Sequence, residues 1–411
     1  MKIALLNVKY SPNLGDGLLS ECLERELGHA LPGAKVFSID LAGRTAYPGL
    51  GPSRRGQAIA VLEALPLWLR QRLARLVLAT LVRLRLRRHA RSALEGCSAA
   101  VLGGGNLLTD ADLNFPMKIA GALAEVRAKG IPLAVHAVGA SRNWSPAGRR
   151  LFAGALRSVR LTTAAVRDER SRLAWDSQLE PAGLPPAGLV GDPGLLASLH
   201  FARGPLPEDA PRAGLCITAP MALRYHSDDA HGDDDLDEWY AMAARTLVQQ
   251  GYAVALFTNG SPEDRAYLAR LGPQWIRAAK GPVTITNPFA NPAELTAFIS
   301  GCAMIVAHRM HACIAAHSFA IPTIGLAWDI KLDSFFELAG RADFIAATAD
   351  LPEPRLRELI RRAGDEGVDL AALERLIAST RADVSTMGRR LMAAAAAASP
   401  PRTSLPEPLP A

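Results

Sequence analysis

Paired cysteines, long apolar runs and nucleotide fingerprints are what this chain lacks. Its five cysteines, Cys22, Cys97, Cys216, Cys302 and Cys313, are odd in number and form no C-x-x-C pair. Each lies in or beside an apolar run. Buried thiols in a reducing compartment are therefore expected, rather than a disulfide framework or a zinc site. No apolar stretch reaches the roughly 18 uncharged residues of a membrane-spanning helix. No charged leader, apolar leader segment or cleavage site accompanies the first strand pattern at Met1-Lys2-Ile3, which makes a cytoplasmic location the expectation. There is no G-x-x-x-x-G-K-[ST] phosphate loop and no repeat of solenoid length. Acids are missing locally too. Residues 66–91 contain eight arginines (Arg70, Arg72, Arg75, Arg83, Arg85, Arg87, Arg88, Arg91) and neither an acid nor a lysine. The net charge is +6, so taking away those eight positive charges leaves the remainder at −2. The basic character belongs to one segment, and no nucleic-acid partner is expected.

What is present is an ordinary globular balance. With 49% hydrophobic and 21% charged residues among 411, wholesale disorder and fibrous repeats are excluded and two domains are expected. Buried-strand patterns at 2–8, 34–39, 99–102, 132–138, 161–166 and 187–190 alternate with helical patterns at 16–28, 112–129, 146–159 and 168–177. A polar, Pro-containing stretch at 199–211 reads as a linker. Alternation then restarts, with strands at 214–218, 253–257, 283–286, 303–307 and 323–326 and helices at 236–250, 263–271, 293–300, 310–319 and 330–338. The fold class is thus α/β, two doubly wound Rossmann-like domains over 1–200 and 212–395 with a cleft between them. A basic helical insertion at 58–95 interrupts the first. Helical stretches at 352–362 and 370–398 should pack back on the body, and a Pro-rich tail at 396–411 should be disordered.

In open α/β sheets, ligands sit beyond the carboxyl ends of the strands. Asn13-Leu14-Gly15-Asp16 follows the first strand; Asp16 suits an N-cap, a ligand contact, or both. Gly103-Gly104-Gly105-Asn106 follows a buried strand, as a tight turn or as a bare-amide anion cradle. It is not a dinucleotide fingerprint, because the third glycine would fall at Leu108. Arg167 ends another strand beside Asp168, which can cap the next helix. There Arg167 forms either a surface ion pair or a fork aimed into the cleft. The densest group is His308-Arg309-Met310-His311, followed one strand later by Asp329 and Lys331. It gathers a guanidinium, an imidazole and an ammonium near one helix N-terminus, which itself favours anions. His317, in an apolar helix, reads as structural. The acidic run at 228–238 lacks cation-loop spacing and reads as a solvated loop, and no metal site is expected.

Taken in order, Asn13-x-Gly15-Asp16, Gly103-Gly104-Gly105-Asn106, Arg167-Asp168-x-x-Ser171, Asp192-Pro193, Arg309-Met310-His311 and Asp329-x-Lys331 with Phe335 resemble the polysaccharide pyruvyl transferases. Met310 stands where that family usually has leucine, a change that preserves bulk. The Arg-rich stretch and the acidic run look like insertions relative to the shared pattern. The resemblance implies a GT-B-like pair of domains. It also implies transfer of pyruvate from phosphoenolpyruvate to a sugar of a polysaccharide or its lipid-linked precursor, as a cyclic ketal, with no cofactor. Arg309, Arg167 and Lys331 are then the candidates for the donor's phosphate and carboxylate. Asn13, Asp16, Gly104, Gly105 and Asn106 are further substrate-binding candidates. His311 is the candidate general acid/base, because imidazole titrates near neutral pH. Two rivals share the fold: a glycosyltransferase using a nucleotide sugar, and a non-catalytic glycan- or anion-binding relative.

The arginine-rich segment invites a reading of its own. Across residues 67–91, leucines, valines and Trp68 are interleaved with the arginines. Such a helix either lies on an anionic membrane surface or packs with its arginines snorkelling to water. A peripheral position at the inner face of the cell membrane is the first of these expectations.

Overall fold

The computed structural model describes residues 1–49, 67–220, 233–328 and 330–398, without the side chains of 67–71, 233–235, 330, 331 and 398. The tail beyond residue 398, Asp329, the Lys331 side chain and most of the acidic run lie outside that description.

Strands β1 (Lys2–Asn7), β2 (Lys35–Asp40), β3 (Ala99–Leu108), β4 (Pro132–Ala140), β5 (Arg160–Val166) and β6 (Gly188–Leu189) form one parallel sheet in the order β2-β1-β3-β4-β5-β6. Helices α1 (Leu14–Ala30), α2 (Leu67–Leu81), α3 (Arg87–Ala93), α4 (Asn114–Ala128), α5 (Pro146–Arg157) and α6 (Glu169–Gln178) accompany it. A single π-helical turn at Val82–Leu86 joins α2 to α3. The short α7 (Ala197–His200) leads into the linker.

The second sheet contains β7 (Arg212–Cys216), β8 (Ala253–Phe257), β9 (Val283–Ile285), β10 (Met304–Ala307), β11 (Thr323–Leu326) and β12 (Ile345–Ala346), in the order β12-β11-β10-β7-β8-β9. With it run α8 (Asp233–Gln249), α9 (Pro262–Ala279), α10 (Pro292–Ser300), α11 (Met310–Ser318), α12 (Ile330–Leu338), α13 (Glu353–Glu366) and α14 (Leu370–Ala398). The two-domain α/β expectation holds, and the strand orders refine it. The second sheet has the Rossmann order; the first has the flavodoxin-like one, reversing between β1 and β3. All five cysteines are buried and free.

Three local expectations are corrected. Helix α1 starts two residues early and is capped by Asn13, whose Oδ1 accepts from the Gly15 amide at 3.2 Å. Asp16 therefore lies inside the first turn and is not the cap. The glycine triplet is not a loop after a strand: β3 runs through it to Leu108, with a register shift between Gly105 and Leu108. Gly104 (φ +76°) and Gly105 (φ +91°) supply the left-handed backbone that this irregularity requires. Helix α9 continues past Leu271 and through Pro273 to Ala279, because Trp275 and Ala279 are buried in the second core.

The domain boundary at 395 is corrected as well. Helix α14 leaves the second domain and closes a face of the first sheet, where Val384, Met387 and Leu391 pack with Ile3, Leu5, Leu23, Leu27 and Val101. Its backbone carbonyl at Ala394 accepts from Arg160 Nη2 at 2.7 Å. The first domain is thus completed by the last helix of the chain.

The domains also meet at the start of α1. The Leu14 amide, one of the donors that a helix start leaves without an intrahelical partner, donates to the Asn259 carbonyl of the second domain at 2.7 Å. Gly260 follows at φ +99°, and a Cβ there would sit 2.6 Å from the Pro12 carbonyl oxygen. We expect Gly260→Ala to cost about 1–3 kcal/mol through backbone strain and this clash. Thermal denaturation checks it: a melting temperature equal to wild type would show that the seam yields freely.

Candidate active site

The carboxyl ends of the two sheets face each other across the seam, and both order reversals open there. The loop after β1, the distal half of β3 and the start of α6 come from one side. The loops after β8 and β10 come from the other. Between them lies a cavity of about 230 Å³ lined by Asn13, Asp16, Asn106, Thr109, Phe115 and Arg167 of the first domain and by Asn259, Arg309, Met310, His311 and Trp328 of the second. Six of the nine candidate residues converge on one cavity: Asn13, Asp16, Asn106, Arg167, Arg309 and His311. Gly104 and Gly105 are not in the lining; they lie under α1, with Leu19 at 3.7 Å from a Cβ at Gly104 and Asp16 Oδ1 at 3.9 Å from one at Gly105. Lys331 belongs to α12, and its side chain is outside the described residues.

Each arginine arrives already held. Arg309 caps α11 through its backbone, while its Nε and Nη2 donate to Asp264 Oδ2 at 3.0 and 2.5 Å. Asp264 is fully buried and also accepts from the Ala219 amide at 2.8 Å. Arg167 donates from Nη1 to buried Asp192 at 3.1 Å and lies 3.5 Å from Asp168 through Nε. Burial raises the Asp192 carboxyl, against the opposing pull of Arg167. Asp168 caps α6 as expected, accepting from Ser171 N at 2.7 Å. Fixed guanidiniums of this kind give geometry rather than stability, because the desolvation cost of a buried pair offsets much of its attraction.

Asn106 Oδ1 is buried without a hydrogen-bond partner among the described residues. A Cβ at Gly139 would stand 2.7 Å from it and 3.0 Å from Arg167 Nη2, so only glycine at that strand end leaves room for both groups. His311 lies against Gly15, where a Cβ would come 2.5 Å from Nδ1. The imidazole of the second domain thus rests on the first turn of α1.

The neighbouring histidines do other work. His308 is buried with Nδ1 3.0 Å from the Tyr240 hydroxyl, and its carbonyl accepts from Trp328 Nε1 at 2.5 Å. It belongs to the core of the second domain, and its place beside Arg309 in sequence is misleading. His317 is buried against Phe335, as read from the sequence, and burial lowers it to about 4.

Asp16 is the unusual acid of the cavity. Burial pushes its carboxyl up to about 6, against a Ser11 hydrogen bond and the charges of Arg167 and Arg309. Metal-type spacing among the described residues occurs elsewhere, at Glu26, His29 and His200. There Glu26 already accepts from Arg381 at 3.0 Å and faces His200 Nε2 at 3.0 Å. Glu26, through His200 and Arg381, ties α1, α7 and α14 together, outside the cavity.

Sequence reasoning missed Asn259, Asp264 and Gly139. Asn259 lies in a Thr-Asn-Gly-Ser-Pro loop whose composition marks only a turn, and Asp264 lies in the first helical turn that follows, where an acid is ordinary. Gly139 carries no side chain to notice.

Two doubly wound domains with a cation-bearing cleft make this a GT-B-like α/β protein, and the comparisons agree. A UDP-bound MnaA from S. aureus superposes with a TM-score of 0.53 at 11% identity, over 95% of this chain and 94% of that one. The UDP-GlcNAc 2-epimerase from Methanocaldococcus jannaschii gives 0.53 at 10% identity, over 89% and 93%. The Neisseria meningitidis UDP-GlcNAc 2-epimerase bound to UDP-GlcNAc gives 0.50 at 11%, over 96% and 99%. At such identities the likeness is one of fold. No curated protein matches the chain in sequence. Its family is nonetheless plain: the chain belongs to the polysaccharide pyruvyl transferases, whose family model matches residues 13–330.

The raised carboxyl makes a testable sign. A folded-state value of about 6 against the ordinary 3.8 means that folding favours protonated Asp16. Its burden on stability is absent at low pH, grows from about pH 4 to 6 and is complete above. Asp16→Asn should therefore stabilise the protein by about 1–2 kcal/mol at pH 8, with the gap closing toward pH 4. Denaturant titrations at both pH values check this, and an equal gap at both would refute the assignment.

Proposed function

We propose that the protein transfers pyruvate from phosphoenolpyruvate to a sugar of a polysaccharide or its lipid-linked precursor, forming a cyclic ketal. The observation that supports it most is the convergence of Arg167, Arg309 and His311 from two domains on one cavity. Phosphoenolpyruvate carries a phosphate and a carboxylate on a three-carbon frame, so it needs converging cations, and bidentate guanidiniums match both groups. Asn13 and Asn106, both in the cavity lining, add neutral polar groups beside the cations.

The chemistry requires a proton delivered to the methylene carbon and attack by one sugar hydroxyl at the adjacent carbon. The phosphate then leaves, and a second hydroxyl attacks to close the ketal. Of the two hydroxyl protons released, one replaces the proton consumed at carbon and the other accompanies phosphate. His311 serves as the general acid/base, and Asp16, titrating near pH 6, is a second group able to exchange protons near neutrality. The arginines stabilise the departing phosphate. No step calls for a metal or an organic cofactor.

His311→Gln should lower turnover by about 10²–10⁴-fold with the fold intact. Arg309→Lys should weaken phosphoenolpyruvate binding by about 1–3 kcal/mol, because the planar fork is lost. It should also lower the melting temperature, since buried Asp264 loses the two guanidinium hydrogen bonds at Oδ2. Calorimetry with phosphoenolpyruvate and phosphate release on mixing with glycan acceptors check both. Wild-type turnover in the His311 variant would overturn the mechanism, and phosphate release that needs a nucleotide sugar would favour the glycosyltransferase rival.

The reading includes a peripheral membrane position. Leu76, Val77 and Leu84 are 65, 65 and 52% exposed, so the apolar side of α2 and the π turn faces outward, with exposed Arg72, Arg75, Arg83, Arg85 and Arg88 around it. An apolar face bordered by cations suits an anionic lipid surface, to which each arginine contributes about 1 kcal/mol. Arg87 and Arg91 are not available for this role: both donate to buried Glu125 of α4, through Nε at 2.8 Å in each case, and Arg75 is partly neutralised by Asp112 at 3.8 Å. Anionic vesicles should bind the protein in a salt-sensitive manner, and binding should fall when Arg83, Arg85 and Arg88 become Gln. Equal recovery of variant and wild type in the unbound fraction at low salt would refute the contact.

A further inference from the structure

A second cavity, of about 420 Å³, adjoins the first and shares Arg167 and Met310 with it. It lies between α6, β6 and the turn after it on one side and α11, α12 and α14 on the other. Its apolar surface comes from Leu189, Val190, Ile314, Phe335, Leu338 and Leu376. Around these stand the carboxylates Asp168, Glu169, Glu337 and Asp383.

The two cavities differ in charge. The first presents Arg309 and His311 beside Asp16. In the second, Arg167 is the single cation among the described lining side chains, and Asp192 and Asp168 already flank it. A phosphate or sugar nucleotide would meet net negative charge there, because among the described residues five carboxylates (Asp168, Glu169, Asp192, Glu337 and Asp383) face only Arg167 and the Arg172 that pairs with Glu169. A neutral polyol would not be repelled. Its hydroxyls donate to carboxylate oxygens, and its C–H faces pack on aliphatic and aromatic carbon. The shared Arg167 wall sets such a ring directly against the contents of the first cavity. Ser379 and Thr380 of α14 close the far side, and Thr380 packs so tightly on Gly191 that a Cβ there would sit 2.0 Å from its Oγ1.

We propose that this second cavity is the acceptor subsite and that it takes a neutral saccharide ring. The inference rests on reading the first cavity as the donor site. It also gives α14 a role beyond packing: the helix that returns to complete the first domain builds one wall of the acceptor pocket.

The probes are methyl glycosides of common hexoses and N-acetylhexosamines, followed by saturation-transfer NMR, with phosphoenolpyruvate binding measured in parallel on the full chain. Ser379→Trp fills the pocket from its exposed rim, and Ser379→Ala is the control that keeps it open. At least one glycoside should bind the wild type and the Ala variant, and its signal should fall at least five-fold in the Trp variant. Phosphoenolpyruvate affinity should stay within two-fold in all three. Glycoside binding unaffected by Ser379→Trp would overturn the proposal, as would phosphoenolpyruvate binding with no glycoside bound by any form. Stronger binding of a sugar 1-phosphate than of its methyl glycoside, lost in the Trp variant, would overturn it too. Glycoside binding that Ser379→Trp abolishes, in a protein that does not bind phosphoenolpyruvate, would uphold the saccharide subsite while removing the donor reading.

Discussion

The first turn of α1 has to be finished by the other domain. Its Leu14 amide donates to Asn259, and Gly15 presents bare backbone against which the His311 ring rests. Gly260 approaches the Pro12 carbonyl too closely for any side chain. A helix start leaves several amides without intrahelical partners, and satisfying one of them from across the cleft couples the domains at the place where polar groups are concentrated. Asp16, two residues beyond Leu14, is thereby carried into a closed environment. Its raised carboxyl is a consequence of that closure and not of its own helix, whose N-terminal dipole would act in the opposite direction.

The same closure explains why the cations are backed by carboxylates. A guanidinium on a long side chain is mobile in water, and ordering it costs conformational entropy when a ligand arrives. Pairing Arg309 with Asp264 and Arg167 with Asp192 spends that ordering during folding. The arrangement yields a preorganised site whose donors need not rearrange at the moment of reaction. It also explains the glycine at 139, since any Cβ there would press on the Arg167 fork and on Asn106 together.

Much of this was legible in the sequence, for a physical reason. Strand-to-helix junctions in parallel sheets must collect at one edge, so polar residues at those junctions, Asn13, Asp16, Asn106, Arg167, Arg309 and His311, could be assigned to a common cleft before any contact was known. What stayed hidden depended on long-range geometry. Asp264 lies inside a helix first turn, where an acid is unremarkable, and only the fold reveals that it receives Arg309. His308 stands next to Arg309 in the chain, but after a strand neighbouring residues point apart, and it turns toward Tyr240. The glycine triplet resembled a loop because local composition does not distinguish a turn from a bulged strand. The return of α14 to the first sheet left no local trace, since an amphipathic helix does not encode which apolar surface it will meet.

Helix α4 links the outer basic face to the cleft. Its start places Phe115 in the first cavity, and ten residues on, Glu125 holds Arg87 and Arg91 of the insertion. At about 1.5 Å per residue, those points are separated by roughly 15 Å along the helix axis. Glu125 is kept below the usual carboxylate range, first by the Arg91 hydrogen bond, so the anchor holds well into mildly acidic conditions and loosens only as pH falls through that lowered value. An insertion fixed in this way cannot tilt independently of α4.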